Sequence, residues 1–194
     1  MPDISNTTDA PSAEVLVISS SLNPNSRSRI LAREAHQRLQ KLGVETQLID
    51  LQDYPLPLCD GDTAYDDPLL PELKELIGNA TTVLLAMPVY NFDVSASVKN
   101  LLELTGNAWR EKITGFLMVA GGHSSYMSSM GFANSLMLDF RCLVIPRFVY
   151  AVLDHFEEGR IIEPEIRERI QGLVEQAATL TRALGRNARE EAAG

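Results

Sequence analysis

Between Val15 and Ala32 the chain reads VLVISSSLNPNSRSRILA. An apolar run gives way to hydroxyls at Ser20, Ser21, Ser26 and Ser28, amides at Asn23 and Asn25, and guanidinium groups at Arg27 and Arg29. A helical pattern follows. Hydroxyl donors gathered beside the free N–H groups and positive dipole end of a helix suit one terminal phosphate monoester. A Rossmann fingerprint would place glycines here for close backbone approach to a pyrophosphate, and a P-loop would place Gly-Lys-Ser/Thr. Neither is present, so the loop points to a mononucleotide. Serine and asparagine also cap helices, and Asn25 or Ser26 serving only as an N-cap is the other reading.

Two further stretches carry ligand chemistry. In MPVYNFDVSASVKNLLE, Pro88 restricts the backbone at a strand exit. Tyr90 and Asn91 then offer a planar face and a polar edge, and Asp93 or Ser95 is positioned to cap the next helix. The plainer reading is a Pro-containing turn with Tyr90 and Phe92 packed on the surface. In AGGHSSYMSSM, Gly121 and Gly122 allow backbone N–H groups to face a ligand closely. The plainer reading there is a Gly-Gly turn before a helix capped by Ser124 or Ser125. His123 is a candidate hydrogen-bonding group. Tyr126, Met127 and Met130 read as an apolar wall, as core, or as a subunit interface.

The elements that must position these loops are legible as alternating strands and helices. EVLVISS, VETQLID, TTVLLAM, TGFLMVA and CLVIP are short apolar runs of the kind found in a parallel sheet covered on both faces. Between them, stripes recur at helical spacing: Leu31, Ala35, Leu39 and Leu42, with Gly43 as a stop; Leu69, Leu73, Leu76 and Ile77; Val98, Leu101, Leu102 and Thr105. A Met-rich helix is expected from about Tyr126 to Phe140, and a long one through Ile166, Ile170, Leu173, Ala177, Leu180 and Leu184. This predicts an α/β, flavodoxin-like, three-layer, doubly wound fold with a five-stranded parallel sheet in the order 2-1-3-4-5. Ligands in such folds sit outside the carboxyl ends of the strands, near the switch between strands 1 and 3. The three loops above are the ones at that edge.

The 194 residues suit one domain, predicted over 14–184, with a disordered lead-in over 1–13 and a frayed tail over 185–194. A net charge of −9 argues against a nucleic-acid partner held by phosphate contacts. No window is long and apolar enough to span a bilayer, and no membrane partner is expected. The two cysteines, Cys59 and Cys142, and three histidines show no metal-ligand spacing, so no metal is expected and a cytoplasmic location is.

From Val15 to Leu184 the chain resembles the NAD(P)H-dependent FMN reductases of flavodoxin-like fold. The family pattern Gly-Ser-x-Arg-x-x-Ser is met here by Ser20-Ser21-Leu22-Asn23-Pro24-Asn25-Ser26. Pro-x-Tyr-Asn is met by Pro88 to Asn91, followed by Lys99-Asn100; YPLPLCDGD and Gly121-Gly122 fit as well. The resemblance implies FMN as cofactor and NAD(P)H as co-substrate. Ser21, Ser26 and Ser28 would hold the phosphate. Pro88, Val89, Tyr90 and Asn91 would line the isoalloxazine and ribityl chain, and Gly121 and Gly122 its pyrimidine edge. Asn23 replaces the usual arginine, which lowers the positive charge at the phosphate, and Arg27 is the residue placed to restore it. Ser95-Ala96 replaces the usual Pro-Gly. The implied activity is hydride transfer to the flavin and onward electron transfer to free flavin, a quinone or another small acceptor, in a homodimer or homotetramer. A flavodoxin-type electron carrier is the alternative, though the loop lacks its Ser/Thr-x-Thr-Gly-x-Thr pattern. A serine hydrolase would need a Gly-x-Ser-x-Gly elbow, which is absent.

Overall fold

The computed structural model describes residues 14–192, with side chains described through Leu184. The expected disordered lead-in over 1–13 and the last two residues lie outside the described residues. The elements run β1 (Val15–Ser19), α1 (Arg27–Lys41), β2 (Thr46–Asp50), α2 (Leu70–Asn79), β3 (Thr82–Tyr90), β4 (Asp93–Val94) and α3 (Ala96–Thr105). They continue with β5 (Ile113–Ala120), α4 (Met130–Phe140), β6 (Leu143–Val144), β7 (Val149–Val152), β8 (Phe156–Glu157), β9 (Arg160–Ile161) and α5 (Pro164–Ala192). The backbone of α5 remains helical past Leu184, where the sequence pattern ends the domain.

The parallel sheet runs β2-β1-β3-β5, with the fifth position shared by β6 and β7. This is the predicted order. Alternate residues of each central strand feed two separate cores. Leu16, Ile18, Leu85, Met87, Phe116 and Met118 pack toward α2, α3 and α4. Val15, Val17, Leu84, Ala86, Ile113 and Leu117 pack toward α1 and α5. Every residue of β5 is buried, as expected for a strand covered on both faces. Gly115 stands in its middle because a Cβ there would come within 2.8 Å of the Leu84 side chain and 3.0 Å of Leu173.

The fifth strand departs from expectation. CLVIP contributes only Leu143 and Val144 to it, and pairing with β5 resumes at Val149. The interruption holds Pro146, which has no N–H to give a ladder, and Arg147, which sits at φ 64. The resumed strand delivers Leu153 to the same edge as the three loops. The Met-rich helix also starts later than expected, at Met130 instead of Tyr126. Ser128 N donates to Ser125 O and Met130 N to Met127 O, so the serine-rich approach turns in three-residue steps and not as α-helix.

Both cysteines are free thiols. Cys142 donates to Trp109 O at 3.0 Å, and burial pushes its thiol up to about 11. Trp109 is itself fully buried and donates to Thr105 Oγ1. The single tryptophan is therefore core, remote from the loops at the strand ends.

Candidate functional site

The first loop folds without glycine because its side chains do the work of turning the chain. Asn25 N donates to Asn23 Oδ1 at 2.9 Å, and Asn23 N to Ser21 Oγ at 3.3 Å. These are Asx- and Ser-type turns, which need no left-handed residue, and none of residues 20–28 has positive φ. Ser26 is the N-cap of α1: its Oγ accepts from Arg29 N and lies 2.8 Å from Ser28 Oγ. The capping reading of Ser26 is thus correct, and it is compatible with the phosphate reading. Among the described residues, the N–H groups of Arg27 and Ser28, in the first turn, donate to no protein group. They and the half-buried Ser26 hydroxyl face the same corner.

Arg29 takes a different role from Arg27. It is 7% exposed. Its Nε donates to Asp50 at the end of β2, and its Nη2 to Asp50 Oδ1 and to Ser21 O at 3.1 Å. Its Nη1 donates to Asn23 O and Pro24 O, each at 3.0 Å. One guanidinium therefore draws three loop carbonyls inward from below. Arg27 is exposed, forms no ion pair among the described residues, and is the cation available to an anion at this corner.

The loop after β3 is a hairpin. Val89 pairs with Val94 and Tyr90 with Asp93. Its two central residues, Asn91 and Phe92, have φ of 51° and 65°, as a type I′ turn requires. Tyr90 is left 54% exposed at the cavity mouth. Phenylalanine in this conformation is strained, by about 1–2 kcal/mol for a left-handed non-glycine residue. Phe92→Gly is accordingly expected to raise the urea midpoint by an amount worth about 0.5–1 kcal/mol, after the added entropy of glycine in the unfolded chain. A lower midpoint would show that the Phe92 side chain contributes more packing than the turn costs.

The loop after β5 is anchored by Tyr150 of β7, whose hydroxyl donates to Gly122 O at 2.6 Å and accepts from Ser125 N at 3.2 Å. Tyr126 stacks edge-on against Tyr150, with centroids 5.5 Å apart. Neither Gly121 nor Gly122 has positive φ, so the backbone does not demand glycine. A Cβ on either would meet nothing within 4 Å. The missing side chains leave open space, the condition for a flat ring to approach the backbone.

These three loops enclose a cavity of about 510 Å³. Ser21, Asn23, Ser26, Arg27 and Ser28 form one end; Pro88, Val89, Tyr90, Asn91 and Gly121 form the other. Of the residues expected from sequence, only Gly122 and His123 lie off this wall. His123 is turned toward His155, with ring centroids 5.9 Å apart. His155 Nδ1 accepts from Val152 N. Leu153, also on the wall, escapes the sequence pattern because the second half of the fifth strand does. The rule that ligands gather at strand carboxyl ends would have found it. The hydroxyls and N–H groups at one end, and the slot beside Gly121 at the other, fit a phosphate joined through a chain to a planar ring. FMN is such a molecule.

Comparison with known proteins agrees. An NAD(P)H-dependent FAD/FMN reductase of Geobacillus thermodenitrificans is 32% identical over 134 residues, covering 67% of this chain and 72% of that protein. An NADPH:quinone oxidoreductase of Arabidopsis thaliana is 27% identical over 177 residues, covering 83% and 88%. Among solved structures, RosB with a bound 8-demethyl-8-formylriboflavin-5′-phosphate superposes with a TM-score of 0.73 at 19% identity, covering 91% of this chain and 86% of that one. The family described as NADPH-dependent FMN reductase matches residues 13–156, a span that takes in all three loops and the wall they build, and to that family this chain belongs.

Proposed function

We propose that this chain binds FMN in the 510 Å³ cavity, with its phosphate at the start of α1 and its ring between the β3–β4 hairpin and Gly121. The observation that carries the assignment is the convergence of an anion corner and a slot beside glycine in one cavity. Bound there, FMN supplies the redox chemistry, accepting hydride from NAD(P)H and passing the electrons to free flavin, a quinone or another small acceptor. The protein residues supply placement. Ser21, Ser26 and Ser28 with the Arg27 and Ser28 N–H groups hold the phosphate, and Arg27 offsets its charge. Gly121, whose N–H group donates to no protein group among the described residues, faces the ring edge where negative charge grows on reduction. Tyr90 covers the open side.

Phe92 after β3, Tyr126 and Met127 after β5, and Met130 at the start of α4 are all exposed. We assign them to a homodimer or homotetramer interface that completes the nicotinamide and acceptor pocket. Among the described residues, no helix is long and apolar enough to cross a membrane. Two unpaired cysteines favour a cytoplasmic location.

The test is spectroscopic. Purified protein reconstituted with FMN is expected to show a flavin spectrum that bleaches on anaerobic addition of NADH or NADPH. In air with excess FMN it should oxidise NAD(P)H continuously. A bound flavin that no nicotinamide nucleotide bleaches would identify an electron carrier instead.

A further inference from the structure

The turn after β5 begins on residues that restrain it little. Ala120 is the last residue of the strand, held in the ladder opposite Val152. Gly121 and Gly122 follow, and glycine limits a backbone less than any other residue. A Cβ on either would meet nothing within 4 Å, so no neighbour packs them into place. His123–Ser125 then make one short 3-10 turn. The hydroxyl of Tyr150 spans that turn. It donates to Gly122 O at 2.6 Å, ahead of the turn, and accepts from Ser125 N at 3.2 Å, at its end. A phenol can do both with one oxygen. The ring that carries this hydroxyl is buried, opposite Met118 in the sheet and within the core packed against α2, α3 and α4. A mobile backbone segment is thus tied to a rigid support.

We propose that Tyr150 is a positioning residue that sets the reduction potential of the bound flavin. The proposal rests on the flavin reading above. Gly121, on the cavity wall, lies between two fixed points: the β5–β7 ladder at Ala120 and the Tyr150 hydrogen bond at Gly122. Held at both ends, its N–H keeps one direction, toward the ring edge. Reduction puts negative charge on that edge, so a donor already aimed there binds the reduced ring more strongly than the oxidised one. A donor free to swing has to be re-aimed as the charge appears, and that reorganisation removes much of the difference. Tyr150 stands off the cavity wall and acts through Gly121.

Tyr150→Phe removes one oxygen and keeps the buried ring. Gly122 is exposed and Ser125 half-buried, so water takes up the freed groups and the fold is kept. Oxidised FMN should bind the variant within threefold of the parent protein, while the preference for reduced over oxidised FMN falls at least tenfold. For a two-electron couple that lowers the midpoint potential by about 30 mV or more, read by anaerobic equilibration with a reference dye. In flavin-free protein, the amides from Gly121 to Ser124 should exchange hydrogen at least threefold faster. An unchanged potential would overturn the proposal, as would equal weakening of both redox states, which is what a purely structural loss produces. Exchange at the parent rate would overturn it too, because the turn would then hold without the hydroxyl. If the parent binds and reduces FMN and the variant shows no shift, only the Tyr150 assignment fails; if the parent binds no FMN, the flavin reading fails with it.

Discussion

Arg29→Ala is expected to cost about 2–4 kcal/mol of folding stability and to weaken FMN binding at least tenfold. The stability loss follows from what is left behind. Asp50, with its side chain 19% exposed, would keep only the Gln52 N–H as a partner for a carboxylate now facing an empty site. Removing one member of a buried pair leaves an uncompensated charge, at about 3–5 kcal/mol when fully buried, and less here because Asp50 retains some water. The carbonyls of Ser21, Asn23 and Pro24 lose their common donor at the same time. The binding loss has a separate cause: with its carbonyls no longer drawn inward, the loop stops presenting its hydroxyls as a fixed set. Arg29→Lys keeps the charge and loses the fork, so stability should recover further than FMN affinity. Adding Asp50→Asn to Arg29→Ala should restore part of the stability, since no buried charge is then stranded. Urea unfolding and FMN titration read the two effects independently. Unchanged FMN affinity in Arg29→Ala would show that the loop holds its shape without the guanidinium.

That role for Arg29 could not be read from residue type. Sequence places Arg27 and Arg29 together as cations near a phosphate, but two positions along a helix is a rotation of about 200°, so they face opposite ways. Arg29 falls on the side of the buried Ala32. Asp50 at the end of the neighbouring strand was the available hint. The strand order and the site loops were legible because β1, β3 and β5 are uninterrupted apolar runs, and ligand loops in such folds follow from topology. The second half of the fifth strand was hidden by Pro146, which reads as an exit and proves to be a bulge from which pairing resumes. The β8–β9 hairpin leaves no trace in the pattern because each strand holds only two residues, too few to show alternation. It matters, since it lines a depression of about 940 Å³ beside the start of α1. Phe92 at φ 65 could not be anticipated either, because phenylalanine carries no preference for that conformation.

Ser26→Asp separates the phosphate reading from every other account of the first loop. Aspartate caps helices as well as serine does, so its carboxylate can accept from Arg29 N as the Ser26 hydroxyl does now. A negative charge at the positive end of α1 adds about 0.3–1 kcal/mol. Stability should therefore stay level or rise, even without the hydrogen bond between the Ser26 and Ser28 hydroxyls. FMN affinity should fall at least a hundredfold. Two unit charges 4 Å apart repel by about 4 kcal/mol at an effective dielectric constant of 20, and the phosphate carries nearly two charges. Arg27 is exposed and offsets only part of this. Riboflavin, which has the same ring and chain but no phosphate, should bind the variant as it binds the parent protein. Raising the salt concentration should recover part of the FMN loss, because the corner is open to solvent and the repulsion is screened. A simple capping role predicts no change for either flavin, and a collapsed loop predicts loss of both. Only an anion seated on the first turn of α1 predicts that FMN is rejected while riboflavin is kept.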